Sequence, residues 1–176
     1  MLSVIIVKKV LLSKVSLLGI GVALSAASFS LYGAALNISQ IRSETFLECI
    51  EVKDNRFDLS FIHSVSLTPV IDQYVITMEG EQLSILQTSE HFTAHGQGLP
   101  SSVDEPDAYA FESKDGEFIL KLNRAIPDLI VRTDSRFKNR LHTKGVTVNL
   151  NKWSDIGLHI VPIKSCQSGM KTVIEK

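Results

Sequence analysis

Between residues 57 and 63, Phe57, Leu59, Phe61 and His63 alternate with Asp58, Ser60 and Ile62, the two-residue period of a half-buried strand. If the alternation holds to its end, His63 shares a face with three apolar side chains, and a titratable group caps an apolar strip. The short period recurs along the chain. Strands are expected over 46–52, 57–64, 70–78, 83–92, 109–113, 117–122, 129–133, 140–143, 146–150, 158–163 and 171–174. In the third of these, Val70, Asp72, Tyr74 and Ile76 fall on one face. Turn chemistry separates the strands: Asp54-Asn55, Glu79-Gly80-Glu81-Gln82, Asp115-Gly116 and Lys144-Gly145. Residues 101–107 read as a polar loop, and 123–128 as irregular because Pro127 removes a ladder donor. Trp153, in the loop 151–157, is expected to cover one end. With no 3.6-residue period in this part, the pattern predicts an all-β domain, an antiparallel β-sandwich or small barrel.

The N-terminus is patterned differently. Lys8, Lys9 and Lys14 precede an uncharged run over 15–37 that carries Leu17, Leu18, Ile20, Val22, Leu24, Phe29 and Leu31. A run of that length can cross a membrane as one N-terminal transmembrane helix, and the lysines ahead of it keep the short N-terminus cytoplasmic. The expected division is therefore a cytoplasmic 1–14, a membrane segment 15–37, a linker 38–45 and a periplasmic β domain 46–176. The alternative is a cleaved signal peptide, with Ser25-Ala26-Ala27 or Gly33-Ala34-Ala35 as cleavage sites. The run exceeds the usual signal core, which favours a single-pass anchor in the bacterial inner membrane. No cysteine follows the run closely enough for a lipid anchor.

Across 176 residues, 18 Lys and Arg nearly balance 19 Asp and Glu, and no basic stripe interleaved with aromatics suggests nucleic acid. The two cysteines, Cys49 and Cys166, stand at opposite ends of the expected domain. In an oxidising compartment an even pair suggests a disulfide, the alternative being two buried thiols. No C-x-x-C motif points to redox chemistry or zinc.

His63-Ser64 invites a nucleophile reading, with His91 or His95 as base and Asp72 as orienter. Neighbours on a strand face opposite ways, however, and there is no Gly-x-Ser-x-Gly elbow. The same histidines with Asp72 are acceptable metal ligands, but the spacing of His91 and His95 suits a helix better than a strand. The favoured reading has no metal and no cofactor: His63 is held by Asp72 or a backbone carbonyl and braces the turn Gly96-Gln97-Gly98-Leu99-Pro100. Arg124 is placed to pair with Asp72 or with a ligand carboxylate. His142 and His159 look isolated. The candidate binding site is thus His63, Ser64, Asp72, Gly96, Gly98, Pro100 and Arg124.

His63-Ser64-Val65, Thr68-Pro69-Val70, Asp72 and Tyr74, followed by Phe92 and Gly96-Gln97-Gly98-Leu99-Pro100, resemble the family called domain of unknown function 1850. Leu120, Asn123-Arg124 and Pro127 are similar to its second half. Asp72 stands where that family more often has Glu, and Gln97 where it has a small residue. The resemblance implies a small exported or membrane-anchored protein, often encoded beside membrane subunits of tripartite ATP-independent periplasmic transporters with the TAXI type of receptor. It carries over no catalytic residues. The expected function is a non-enzymatic accessory or binding module for transport of small organic acids, with transporter membrane subunits as partners. The alternatives are a metal-dependent or hydrolytic periplasmic enzyme using His63, Asp72 and His91 or His95, and a purely structural envelope protein. An enzyme requires those residues to converge in an open pocket; a docking module requires an exposed apolar patch near the loops.

Overall fold

Alternating apolar positions make strands that bury one face, and the computed structural model, which describes residues 33–94 and 98–167, pairs eleven of them. They are β1 (Ala34–Gln40), β2 (Phe46–Val52), β3 (Arg56–Ile62), β4 (Pro69–Glu79), β5 (Gln82–Phe92), β6 (Ala108–Lys114), β7 (Glu117–Ile126), β8 (Leu129–Arg132), β9 (Arg140–Thr143), β10 (Val146–Asn149) and β11 (Gly157–Ile163). Single 3-10 turns at Ser135–Phe137 and Leu150–Lys152 are the helical elements among the described residues. The strands form two antiparallel sheets, ordered β2-β1-β11-β8 and β10-β9-β3-β4-β5-β7-β6. Neither sheet closes on itself, so the architecture is the sandwich and not the small barrel.

The main core lies between the sheets. Leu36, Ile38, Leu158 and Ile160 from one face Phe57, Leu59, Tyr74, Ile76 and Leu141 from the other. Phe57 and Tyr74 stack with centroids 5.0 Å apart. A second apolar group, Phe92, Phe111 and Phe118, stacks at the other end of β5 and β7. Trp153 packs against the main core, and Lys152 sits 4.3 Å above its ring while pairing with Glu48 at 2.6 Å. Cys49 and Cys166 are joined in a disulfide, S–S 2.02 Å and Cα–Cα 5.8 Å.

Three expectations change. Residues 38–45 are not simply a connector, because β1 occupies Ala34–Gln40, buried along nearly its whole length between β2 and β11. β1 therefore takes in the end of the apolar run read as a membrane segment. Residues 123–128 are not irregular throughout, since β7 continues to Ile126 along β5, and its register shift absorbs the mismatch. Leu150 leaves β10 for the 3-10 turn, where Asn149 caps the backbone N–H of Asn151. The expected transmembrane helix falls mostly in residues 1–32, and the strand 171–174 and turn residues 95–97 also lie outside the described residues. Among the described residues no helix is long and apolar enough to cross a membrane.

Candidate functional site

Strand geometry places Asp72 on the inner face of β4, between buried Val70 and Tyr74. Its neighbours across the ladder are Leu59 on β3 and Glu90 on β5. One residue pair further along, Tyr74 faces Gln87, and Gln87 faces Arg124 on β7. A polar band therefore crosses the sheet between its two apolar groups. Its members are bonded: Tyr74 Oη donates to Asp72 Oδ2 (3.2 Å), Gln87 Nε2 to Asp72 Oδ1 (3.1 Å), and Arg124 Nη1 to Gln87 Oε1 (3.5 Å). Arg124 Nη2 also donates to the Pro106 carbonyl (3.0 Å) and pairs with Glu105 at 3.6 Å. The expected pairing of Arg124 with Asp72 is thus relayed through Gln87.

Desolvation dominates the electrostatics of the band. Burial pushes the Asp72 carboxyl up to about 6, against the hydrogen bonds from Tyr74 and Gln87 and the charge of Arg124. Burial, then the neighbouring Asp72, push Glu90 up to about 7. Burial also raises the Tyr74 phenol, which remains a hydrogen-bond donor.

His63 belongs to a different arrangement. It follows the last residue of β3, where the backbone turns: His63 N–H donates to the Thr68 carbonyl (2.9 Å) and Leu67 N–H to the His63 carbonyl (3.0 Å). Its Nδ1 accepts from the Ser66 backbone N–H (3.2 Å) and lies 3.1 Å from Ser66 Oγ, which bonds Thr68 Oγ1 at 2.8 Å. Ser66, not Asp72 or a carbonyl of the glycine turn, therefore satisfies this nitrogen. Its other edge faces Gly98, which adopts φ +86°, and Pro100 is buried beyond it. The structure thus brings together His63 and Gly98. Ser64 is exposed on the loop. Gly96 and His95 lie outside the described residues.

His91 points away from Asp72, onto the outer face of the same sheet. Its Nε2 lies 3.1 Å from Ser89 Oγ and its Nδ1 3.3 Å from Glu117 Oε1. His142, expected to be isolated, is on that face too, with Nε2 2.8 Å from Ser60 Oγ and Nδ1 3.1 Å from Thr147 Oγ1. Asp58 lies opposite His142 in the ladder, and burial raises its carboxyl. Ser60 and His142 have the types of a nucleophile and base. Over Asp58–Ser60, β3 is paired on both edges, to β4 and to β9, so the ladders take up the strand's backbone donors beside this pair. Among the described residues no three His, Cys, Asp or Glu side chains are grouped to hold a metal ion.

No curated protein and no solved structure matches the chain. A family model described as a domain of unknown function, DUF1850, matches residues 57–150, which span β3 to the end of β10 and contain the polar band, the His63 turn and the outer-face histidines. The chain belongs to the DUF1850 family.

Proposed function

We propose that the chain is an exported, membrane-anchored accessory module without catalytic chemistry of its own. It docks through the loop after β3 on membrane subunits of a TAXI-type tripartite transporter for small organic acids. The observation that carries this reading is the tip of that loop. Val65 is 60% and Leu67 71% exposed, and Leu67 holds a left-handed backbone (φ 56°), which is uncommon for a residue other than glycine. The His63–Ser66–Thr68 hydrogen bonds hold the tip in place, so two apolar side chains are presented to solvent on an ordered turn. The Cys49–Cys166 disulfide is consistent with an oxidising compartment. The enzymatic alternative loses support, because Asp72 and His91 face opposite sides of one sheet.

The test is a pull-down of the full chain from native membranes, scored for transporter subunits. Recovery of those subunits, reduced by Val65→Ser and by Leu67→Asn, is expected. Asn tolerates the left-handed backbone, so that variant removes apolar surface without adding strain. Absence of the subunits, or recovery indifferent to both substitutions, overturns the docking reading. A reporter active only in the periplasm, fused after Lys176, is expected to be active and to sediment with membranes. A soluble, shortened active product would show a cleaved signal.

A further inference from the structure

A cleft of about 250 Å³ opens between β3 and β4 of the larger sheet and the edge strand β8 of the smaller one. We infer that this cleft binds a small aliphatic amine, with its ammonium on Asp72 and its hydrocarbon chain on Leu59, Phe61, Leu129 and Leu150.

The strand registers put both parts of the site on the inner face. Asp72 lies opposite Leu59 in the β3–β4 ladder, and residues directly opposite each other point the same way. Phe61, two positions after Leu59, shares that face. Leu129 and Leu150 are buried, and all five residues line the cleft. Val70 and Tyr74, on either side of Asp72, are buried, whereas Asp72 keeps exposed surface. Arg132 and Arg140 border the same cleft, but their strands turn them outward. Arg140 pairs with Ser60 in the ladder and bonds Asn151 Oδ1 (3.0 Å). Arg132, three residues after Leu129, falls on the opposite face of β8.

Among the described residues Asp72 meets only neutral donors. Tyr74 donates to Oδ2 and Gln87 to Oδ1, one bond to each oxygen, where a carboxylate can accept about four in all. Arg124 acts on it from beyond Gln87. Glu48, buried in the smaller sheet, is by contrast met directly by Lys152 at 2.6 Å. A desolvated carboxylate with neutral partners and spare acceptor positions is completed by a cation, through charge-assisted hydrogen bonds. An ammonium brings that charge with three donors on one atom. The apolar walls require the rest of the ligand to be hydrocarbon. The volume lies below that of drug-sized sites, which limits the chain to a few carbons. An anion would meet the charges of Asp72 and of Glu90, opposite it on β5. The inference rests on the cleft alone, so the docking loop can fail its own test without affecting it.

The test uses the full chain in nanodiscs, titrated by calorimetry against empty-nanodisc blanks with 3-methylbutylamine, 3-methylbutan-1-ol and 3-methylbutanoate. The amine is expected to bind at least about tenfold more tightly than the alcohol or the carboxylate. Asp72→Asn, which keeps the side chain's shape and an acceptor oxygen, is expected to abolish that preference. Asp128→Asn, at an exposed carboxyl beside His159, should leave it intact. The groups facing Asp72 are Tyr74 on its own strand, Gln87 and Glu90 on β5 and Arg124 on β7, while β3 presents Leu59 and β8 Leu129. With the Asp72 carboxyl at about 6, amine binding is expected to be about tenfold weaker at about pH 5 than at about pH 8. The amine itself, like a lysine side chain, stays charged over that range. Because the amine–alcohol comparison is made on the wild-type protein, misfolding of a variant does not obscure it. Equal affinity for amine and alcohol, or no heat at about 10 mM amine, overturns the assignment. So does an unchanged preference in a folded Asp72→Asn protein, its loss in Asp128→Asn, or amine binding that does not weaken toward low pH.

Discussion

Nε2 of His63 lies 3.3 Å from the position that a Cβ would take on residue 98, and Cε1 lies 3.6 Å from it. Only glycine meets both demands of that position, a backbone at φ +86° and room for an imidazole. Gly98→Ala is expected to cost about 1–2 kcal/mol of stability from the left-handed backbone alone, with the ring contact adding to it. Combining it with His63→Ala removes the contact but not the backbone strain, so the two losses should sum to less than their separate values. Urea unfolding of the four proteins measures this. Strict additivity would show that the turn is not seated on the histidine.

His63 also supports the loop through Ser66. Nδ1 accepts the Ser66 backbone N–H, so the neutral ring carries its proton on Nε2. His63→Ala leaves that N–H unpaired and is expected to destabilise by roughly 1–3 kcal/mol. His63→Asn, which offers an oxygen near the same place, should recover part of the loss. Denaturant midpoints decide the matter: equal stability of the Ala and Asn variants would leave the hydrogen bond without a role.

The strands of the DUF1850 region were legible because each has one apolar and one polar face. β1 was not. A strand buried between two neighbours reads as a continuous apolar run, and Ala34, Ala35, Leu36 and Ile38 merge with the apolar stretch ahead of them. Asp72 was legible as inward-facing from the Val70–Ile76 alternation. Its partners Gln87 and Glu90 were hidden, because the register shift around Thr88 puts residues three apart on one face. His142 looked solitary because Ser60 is 82 positions away in sequence.

The polar band makes stability depend on pH. Asp72 at about 6 and Glu90 at about 7 both lie above ordinary carboxyl values. Between about pH 4 and pH 7 the folded protein therefore holds protons that the unfolded chain releases, and stability falls as pH rises through that window. Asp72→Asn should flatten the fall and raise stability at about pH 8, on the order of 1–3 kcal/mol. Urea midpoints at about pH 5 and pH 8 test it. A wild-type protein that gains stability across that interval would contradict the expected sign.

The disulfide spans 117 positions. Chain entropy assigns a loop of that length about 4–5 kcal/mol at most. The paired substitutions Cys49→Ser and Cys166→Ser are expected to lower the urea midpoint markedly, as is reduction of the wild-type protein. An unchanged midpoint in both cases would mean that the unfolded chain is already compact near these ends.

β1 pairs on one edge with β2, its neighbour in sequence, and on the other with β11, where Ala35 meets Ile163. The first of the described strands to emerge during synthesis thus completes its pairing only when β11, the last of them, has arrived. Until then Leu36 and Ile38 have an open edge beside them and no finished core to cover them. This is the moment during synthesis at which the chain is most exposed to wrong pairing, and a protein truncated ahead of Gly157 is expected to aggregate rather than fold.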